Sequence, residues 1–258
     1  MKCKQLSNLS GPVRKAALLW LITLLLPTQA CNKSAAREDI DKYEWEQPGI
    51  LTASDDLLAY RIDTFFQRKV KLAGLNGAVL VSHHGKVIYR NNFGFSNYKE
   101  KTALSDSSTF QLASVSKPFT ATAVLILHKK GKLNIDDHVT EYIPDFPYDS
   151  ITIRHLLNHR SGLPNYIYIF DTIDLKSDSY ITNADVVHYY ISNKPALQAT
   201  PGRSFQYCNT NYALLAYLVE MVSGRTFAEF LKEQVFAPAH MFHSYVSTPS
   251  DSLRPDLQ

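Results

Sequence analysis

The four residues Ser114-Val115-Ser116-Lys117 constrain this chain more than any other feature, because they place a hydroxyl and an amine three positions apart. They lie where a strand-like stretch, Ser108 to Leu112, gives way to a helical pattern from Pro118 to Lys130. Positions i and i+3 share a face of a helix, so the Ser114 hydroxyl and the Lys117 amine are expected to meet. An uncharged amine in that place can take the serine proton and create a reactive nucleophile. The motif alone also matches solvated helices, so its meaning depends on the rest of the chain.

A second motif, Tyr207-x-Asn209, lies much further along the chain, within Pro201 to Asn209. Together with Phe110 to Thr120, it resembles the serine β-lactamase and penicillin-binding protein superfamily. The closest match is the β-lactamase-related branch, which includes the class C β-lactamases, D-alanyl-D-alanine carboxypeptidases and esterases. Further matching stretches are Gly131 to Leu133, His155 to Leu163 and Asn211 to Leu215. The resemblance extends from about Asp55 to Val246.

The resemblance implies an α+β fold, an antiparallel sheet flanked by helices, with the active site at their junction. It implies that Ser114 is the acyl-accepting nucleophile and Lys117 its base, that Tyr207 assists proton transfer, and that Asn209 binds the substrate amide. The substrate would be a small molecule or a peptidoglycan-like peptide with an amide, lactam or ester carbonyl, and no cofactor is implied. Two alternatives stay open: Tyr207 as an aromatic packed beside Phe205, and a non-catalytic envelope or ligand-binding protein that retains the fold.

The same resemblance predicts that part of the domain is missing. The family carries a third motif, Lys or His, usually then Thr or Ser, then Gly, on a strand well downstream of Tyr-x-Asn. Here 49 residues follow Asn209 and do not contain it; the nearest glycine is Gly224. We therefore expect residues 54–258 to be the N-terminal part of the domain, without the C-terminal strands and helix, and this chain not to be a competent enzyme by itself.

The N-terminus predicts export. Four of the 27 basic residues and none of the acidic ones precede residue 31, so the rest of the chain carries 23 basic against 24 acidic residues. They come before the apolar run Ala16 to Leu26, which favours a secretory signal over residues 1–30 and is too short for a mature membrane span. Cys31 directly after Ala30 indicates a bacterial lipoprotein, and residues 31–53 read as a polar tether from the membrane to a periplasmic domain. Ordinary signal cleavage and a tilted N-terminal anchor are the alternatives.

Local patterns predict the order of elements. Ser54 is the expected cap of a first helix that begins with Asp55 and Asp56. Two strands, Gly77 to Ser82 and Val87 to Asn91, surround a tight turn at His84-Gly85. Later helices are predicted over three ranges, which are Thr182 to Asn193, Asn211 to Val222 and Thr226 to Phe236. Pro118 indicates that the Ser114–Lys117 turn is locally irregular.

Several other chemistries are disfavoured. The mature chain is nearly neutral, so it lacks the basic excess that attracts nucleic acid. No G-x-S-x-G elbow occurs, which argues against an α/β-hydrolase. His155 and His159 are four positions apart but lack an acidic ligand between them, so structural roles are favoured over metal binding. Cys208 reads as a small buried residue rather than a nucleophile.

Overall fold

A computed structural model describes residues 52–170 and 181–248. The predicted signal segment, Cys31 and all but the end of the tether lie outside these residues. The elements are α1 Ala53–Ala73, β1 Gly77–His83, β2 Lys86–Phe93, β3 Phe95–Asn97, β4 Thr102–Ala103, a 3₁₀ turn Ala113–Ser116, α2 Lys117–Lys129, a 3₁₀ turn Val139–Glu141, α3 Ile153–Leu157, α4 Tyr166–Phe170, α5 Asn183–Asn193, α6 Asn209–Ser223, α7 Phe227–Leu231 and a π-helical turn Lys232–Phe236.

The described residues divide into two compact units, one of residues 52–63 and 80–89, the other of residues 64–79, 90–170 and 181–248. In the first, α1 begins after Thr52, not after Ser54 as the sequence predicts. Thr52 is the capping residue because its hydroxyl oxygen accepts from the Asp55 N–H at 3.4 Å, while the Thr52 N–H donates to Asp55 Oδ2 at 2.9 Å. Asp55 is buried and also contacts His83 Nδ1 at 3.1 Å, so the start of α1 is tied to the end of β1.

The predicted hairpin is confirmed. Strands β1 and β2 form a two-stranded sheet. His84 and Gly85 join them with φ values of 47° and 74°. Positive φ at both central residues is typical of a type I′ turn, whose twist matches that of the strands. In the second unit β3 pairs antiparallel with β4. The architecture is therefore the mixed α+β arrangement that the sequence predicts.

The segment that precedes the Ser-x-x-Lys motif differs from its prediction. Ser108 to Leu112 forms neither strand nor helix. The Ser108 N–H donates to the Ser105 carbonyl at 3.1 Å, and the Ser105 N–H donates to Ser108 Oγ at 3.0 Å. Serine hydroxyls thus supply backbone partners locally and compete with a strand ladder. Phe110 and Leu112 remain half exposed, at 47% each, so packing does not impose a strand either.

The core of the second unit is built around α6. Both α2 and α5 pack on α6, and α3, α4 and α7 contact it as well. Leu214, Leu215, Leu218 and Val219 of α6 are fully buried, which explains why this helix is apolar on most sides. Gly224 ends α6 in the left-handed conformation. Since α6 is fixed by packing along its length, its first residues have a defined position.

Two of the later helices follow their predictions with small shifts of boundary, and the third predicted range, Thr226 to Phe236, is α-helical to Leu231 and π-helical from Lys232. Thr182 caps α5, and its hydroxyl accepts from the Asp185 N–H. Thr226 caps α7 in the same manner, through Glu229. In the ranges 52–170 and 181–248, no helix combines the length and the apolar character that crossing a membrane requires.

Candidate active site

A 3₁₀ turn brings Ser114 and Lys117 together. In a 3₁₀ helix side chains at i and i+3 eclipse, which places these two closer than an α-helical face would. Lys117 Nζ lies 3.1 Å from Ser114 Oγ. Lys117 also begins α2, with Pro118 in its first turn, where a missing N–H costs nothing. The irregularity predicted from Pro118 is therefore present, and it falls in the turn rather than in the helix.

Ser116 and Ala113 define how the turn is held. Ala113 adopts a φ of 46°, which is uncommon for a residue with a side chain. Ser116 Oγ donates to the Ala113 carbonyl at 2.6 Å. The hydroxyl of Ser116 is thus committed to its own backbone, whereas that of Ser114 faces Lys117. The two serines of the motif have different environments although they are two positions apart.

The second motif reaches the same place from the start of α6. Cys208 has an extended conformation and precedes the helix, and Asn209 is its first residue. Tyr207 Oη lies 2.5 Å from Ser114 Oγ, and Lys117 Nζ donates to Asn209 Oδ1 at 2.8 Å. Alternation across Cys208 turns Tyr207 and Asn209 to one side. The structure brings all four predicted site residues into one hydrogen-bonded cluster.

At the centre of the cluster the Lys117 side-chain nitrogen lies between two aromatic rings. Lys117 Nζ lies 4.9 Å from the centroid of Tyr207 and 5.6 Å from that of Tyr212. Its interaction with Tyr207, followed by the hydrogen bond from Ser114, lowers the pKa of the Tyr207 phenol below its ordinary value. Tyr207 is 49% exposed, so a substrate has access to it. A phenol that ionises more easily than usual is suited to moving a proton.

Three backbone hydrogen bonds hold Tyr207 in place. The segment 159–162 pairs with the segment that leads to Tyr207: Gln198 donates to Gly162, Gly202 donates to Arg160, and Gln206 donates to His159, each at 2.8 Å. At the centre of this crossing a Cβ on Gly162 would lie 2.0 Å from the Ala199 carbonyl oxygen, so the close approach requires glycine.

His159 is the residue that sequence reasoning missed. It is 8% exposed, and its ring lies 4.5 Å from the Tyr207 ring and 5.1 Å from the Tyr212 ring, centroid to centroid. Burial, and then the charge of Lys117, lower the pKa of His159. The sequence analysis considers it only as one of two histidines at metal-ligand spacing and favours a structural role for both, without relating His159 to Tyr207. Its membership in the matching stretch His155 to Leu163 was the available signal.

His155 and Cys208 take structural positions. The Thr152 N–H donates to His155 Nδ1 at 3.3 Å, so this ring completes the cap of α3 and does not join His159. Cys208 is 2% exposed, burial raises its pKa, and its thiol donates to the Pro164 carbonyl at 3.3 Å. Among the residues that the structure describes, no group of three His, Cys, Asp or Glu side chains is placed to hold a metal ion.

The arrangement suits acyl transfer to serine. A hydroxyl, an amine, a phenol and a carboxamide converge within hydrogen-bond distance, which provides a nucleophile, proton carriers and an amide-binding group around one point. The beta-lactamase family matches residues 62–256, so the chain belongs to that family, whose members are serine hydrolases and penicillin-binding proteins.

Individual relatives support this assignment. Penicillin-binding protein 4* of Bacillus subtilis (strain 168) is 39% identical over 181 residues, which are 70% of this chain and 40% of that protein. The penicillin-binding protein from Bacillus halodurans superposes with a TM-score of 0.65 at 29% identity, over 74% of this chain and 58% of that one. EstCE1, a hydrolase with promiscuous acyltransferase activity, gives a TM-score of 0.63 at 26% identity, over 73% and 53%. The chain thus spans about 40% of the length of such curated relatives.

Proposed function

We propose that this chain carries the acylating half of a serine hydrolase site, with Ser114 as nucleophile and Lys117 as base. The observation that carries the proposal is the position of Ser114 Oγ, 3.1 Å from Lys117 Nζ and 2.5 Å from Tyr207 Oη. In the reacting state the Lys117 amine is uncharged, and it takes the Ser114 proton on Nζ while Oγ bonds the substrate carbonyl carbon. The carbonyl π electron pair moves to oxygen and returns as the bond from carbon to the leaving group breaks. The leaving group departs with a proton, and water then releases the acyl group from Oγ.

Asn209 and Tyr207 have separate parts in this scheme. Asn209 Oδ1 accepts from Lys117 Nζ and so keeps one N–H of the amine turned away from Ser114. The Asn209 amide nitrogen is then the donor available for a substrate carbonyl. The lowered pKa of Tyr207 supports a role as carrier of the proton between Lys117 and the leaving group.

The substrate class in this proposal is an amide, lactam or ester carbonyl. The penicillin-binding relatives support a peptidoglycan-like peptide or a lactam, and EstCE1 supports an ester. All three substrates present the same electrophilic carbon to Ser114, and the leaving group differs. Distinguishing them requires labelled probes of each kind.

Covalent labelling of Ser114 tests the proposal. A fluorophosphonate and a fluorescent penicillin are incubated with the purified protein, and attachment is located by peptide mass spectrometry. Ser114→Ala should abolish attachment, and Lys117→Ala should slow it by roughly 10²–10⁴-fold, as expected for loss of a general base. Ser116→Ala is the matched control, because that hydroxyl is bonded to the Ala113 carbonyl and does not face Lys117. Attachment should persist at Ser114, slowed only as far as the turn loosens.

The outcomes separate the competing interpretations. Attachment that persists in Ser114→Ala contradicts the assignment of the nucleophile. Attachment of the fluorophosphonate without the penicillin restricts the substrate to esters or unstrained amides. If both probes fail while the thermal transition is cooperative, the same test on a longer form that contains the third motif separates an incomplete site from a fold-retaining protein that binds ligands without turnover.

We further propose that the protein is exported and held at the bacterial cell envelope through a lipid on Cys31. The basic and apolar pattern before Cys31 supports this. Expressed in a bacterium, the protein should fractionate with membranes, and Cys31→Ala should move it to the soluble exported fraction. Cys3→Ala is the control, since residue 3 leaves with the signal segment. Accumulation of unprocessed chain in the cytoplasm contradicts both steps.

A further inference from the structure

The ring of His159 packs against aromatic side chains of the Ser114 cluster and its surroundings. Phe205, Tyr207 and Tyr212 surround it, at centroid distances of 5.8, 4.5 and 5.1 Å. At 8% exposure the ring has little contact with water. His159 therefore touches the phenol ring that reaches Ser114, but it does not itself reach the nucleophile.

Hydrogen bonds define which ring nitrogen carries the proton. The Cys208 N–H, which can only donate, points at His159 Nδ1 from 3.2 Å. Asn211 Nδ2 lies 3.3 Å from the same atom. Asn211 is oriented by Ser161, whose hydroxyl donates to Asn211 Oδ1 at 2.5 Å and accepts from the Leu163 N–H. Two donors therefore face Nδ1, so Nδ1 must be an acceptor and the proton of the neutral ring lies on Nε2.

We propose that His159 is a positioning residue, which holds Tyr207, Cys208 and Asn209 in reach of Ser114 and Lys117 only while its ring is neutral and protonated on Nε2. The inference rests on the proposed function of the Ser114 site. It assigns His159 no contact with substrate. The ring acts by fixing the peptide between Tyr207 and Asn209 and by supporting the plane of the Tyr207 ring.

Protonation of His159 removes the two hydrogen bonds that its Nδ1 atom accepts. A proton on Nδ1 removes the acceptor from the Cys208 N–H and from Asn211. It also adds a cation beside Lys117, while the other groups that face the ring, Tyr207 and Tyr212, are uncharged unless their phenols ionise. Burial and Lys117 keep the pKa of His159 below its ordinary value of about 6.5. The support is therefore present at neutral pH and is lost on acidification.

A pair of amide substitutions separates positioning from simple packing. The Asn side-chain oxygen is bonded to Cγ, as Nδ1 is in histidine, so it can take the place of that acceptor. The Gln side-chain oxygen lies one bond further from the backbone. Asn also tolerates the left-handed backbone of residue 159, whose φ is 54°. His159→Asn should retain the labelling rate of Ser114 to within about tenfold, and His159→Gln should lose about 10²-fold, the cost of a displacement near 1 Å.

The pH profile and the Tyr207 titration are the readouts that a packing role would not move. On acidification below about pH 6.5 the labelling rate of the wild type should fall more steeply than that of His159→Asn, which has no ring to protonate. Tyrosine labelled with ¹³C at Cζ reports the pKa of Tyr207 without any turnover. That pKa should stay below its ordinary value in the wild type and His159→Asn, and it should rise toward about 10 in His159→Gln.

A second histidine in the same chain, His155, provides the control. His155→Asn replaces a half-buried histidine that also accepts a backbone N–H, and it should change neither the pH profile of labelling nor the pKa of Tyr207. A wild-type Tyr207 titration and labelling profile in His159→Gln would overturn the proposal. So would ¹⁵N spectra of the wild type that place the proton of the neutral His159 ring on Nδ1, whatever the probes show at Ser114.

Discussion

Replacing Gly162 with alanine should separate the two segments that carry the site. Gly162 has a φ of 75°, and an added Cβ would lie 2.0 Å from the Ala199 carbonyl oxygen and 2.9 Å from its carbon. The left-handed backbone costs an alanine about 1–2 kcal/mol. Relief of the contact forces the backbones apart, which costs about 1–3 kcal/mol for overpacking. It also endangers the hydrogen bond from Gln198 to Gly162, worth about 1 kcal/mol. We expect Gly162→Ala to lower the free energy of unfolding by about 3–6 kcal/mol.

Gly131→Ala is the matched control for this prediction. Gly131 has a φ of 66°, and an added Cβ meets no atom within 4 Å. It should therefore lose only the backbone cost, about 1–2 kcal/mol. Both variants are measured by urea unfolding and by the fluorophosphonate labelling rate of Ser114. Equal losses of stability in the two variants, or normal labelling in Gly162→Ala, would refute the reasoning that this crossing positions Tyr207.

Three further predictions concern stability. Hydrogen bonds from Thr52, then from His83, lower the pKa of Asp55. Its contribution to stability is therefore fully present above the unfolded value near 3.9 and is lost progressively as the pH falls from there through the lower folded pKa. Thermal melts from pH 7 to pH 2 should therefore show the difference between the wild type and Asp55→Asn shrinking on acidification. Tyr190→Phe should cost about 1 kcal/mol in urea unfolding, since the hydroxyl of the buried Tyr190 donates to the Pro164 carbonyl at 2.5 Å. Thr182→Ala, which removes the cap of α5, should cost about 1 kcal/mol by the same measurement.

The sequence was sufficient to predict the four residues of the cluster, because their chemistry depends on short spacings. Ser114 and Lys117 are joined by three positions of chain, and Tyr207 and Asn209 by two. Local geometry fixes such pairs whatever surrounds them. That the two pairs meet came from the resemblance to a family, since no local rule relates residues so distant in the chain. In the structure, the hydrogen bond from Lys117 to Asn209 joins the two pairs.

The two wrong predictions, the strand over Ser108 to Leu112 and the cap at Ser54, have the same cause. In both places a side chain forms a hydrogen bond with a nearby backbone N–H that the sequence pattern does not reveal. Ser108 to Leu112 has strand-like composition, but the hydroxyl of Ser108 accepts from the Ser105 N–H and draws the backbone into a turn. Thr52 and Ser54 are both residue types that cap helices, and the sequence pattern favours Ser54 for α1. The choice depends on Asp55, which is buried and accepts from Thr52. Burial of that carboxylate involves His83, which is distant in sequence.

His159 could not be identified from spacing because its partners are backbone groups and rings. A histidine that accepts from the Cys208 N–H leaves no signature at the position of Cys208, since every residue except proline offers the same donor. The residues that position a site are therefore harder to read than those that react. Here they form one buried chain, in which Ser161 orients Asn211, Asn211 and Cys208 fix His159, and His159 supports Tyr207. Since each link is buried or half-buried, an unpaired partner at any link carries a desolvation cost, and the Ser114 cluster inherits its geometry from interior packing rather than from its exposed surface.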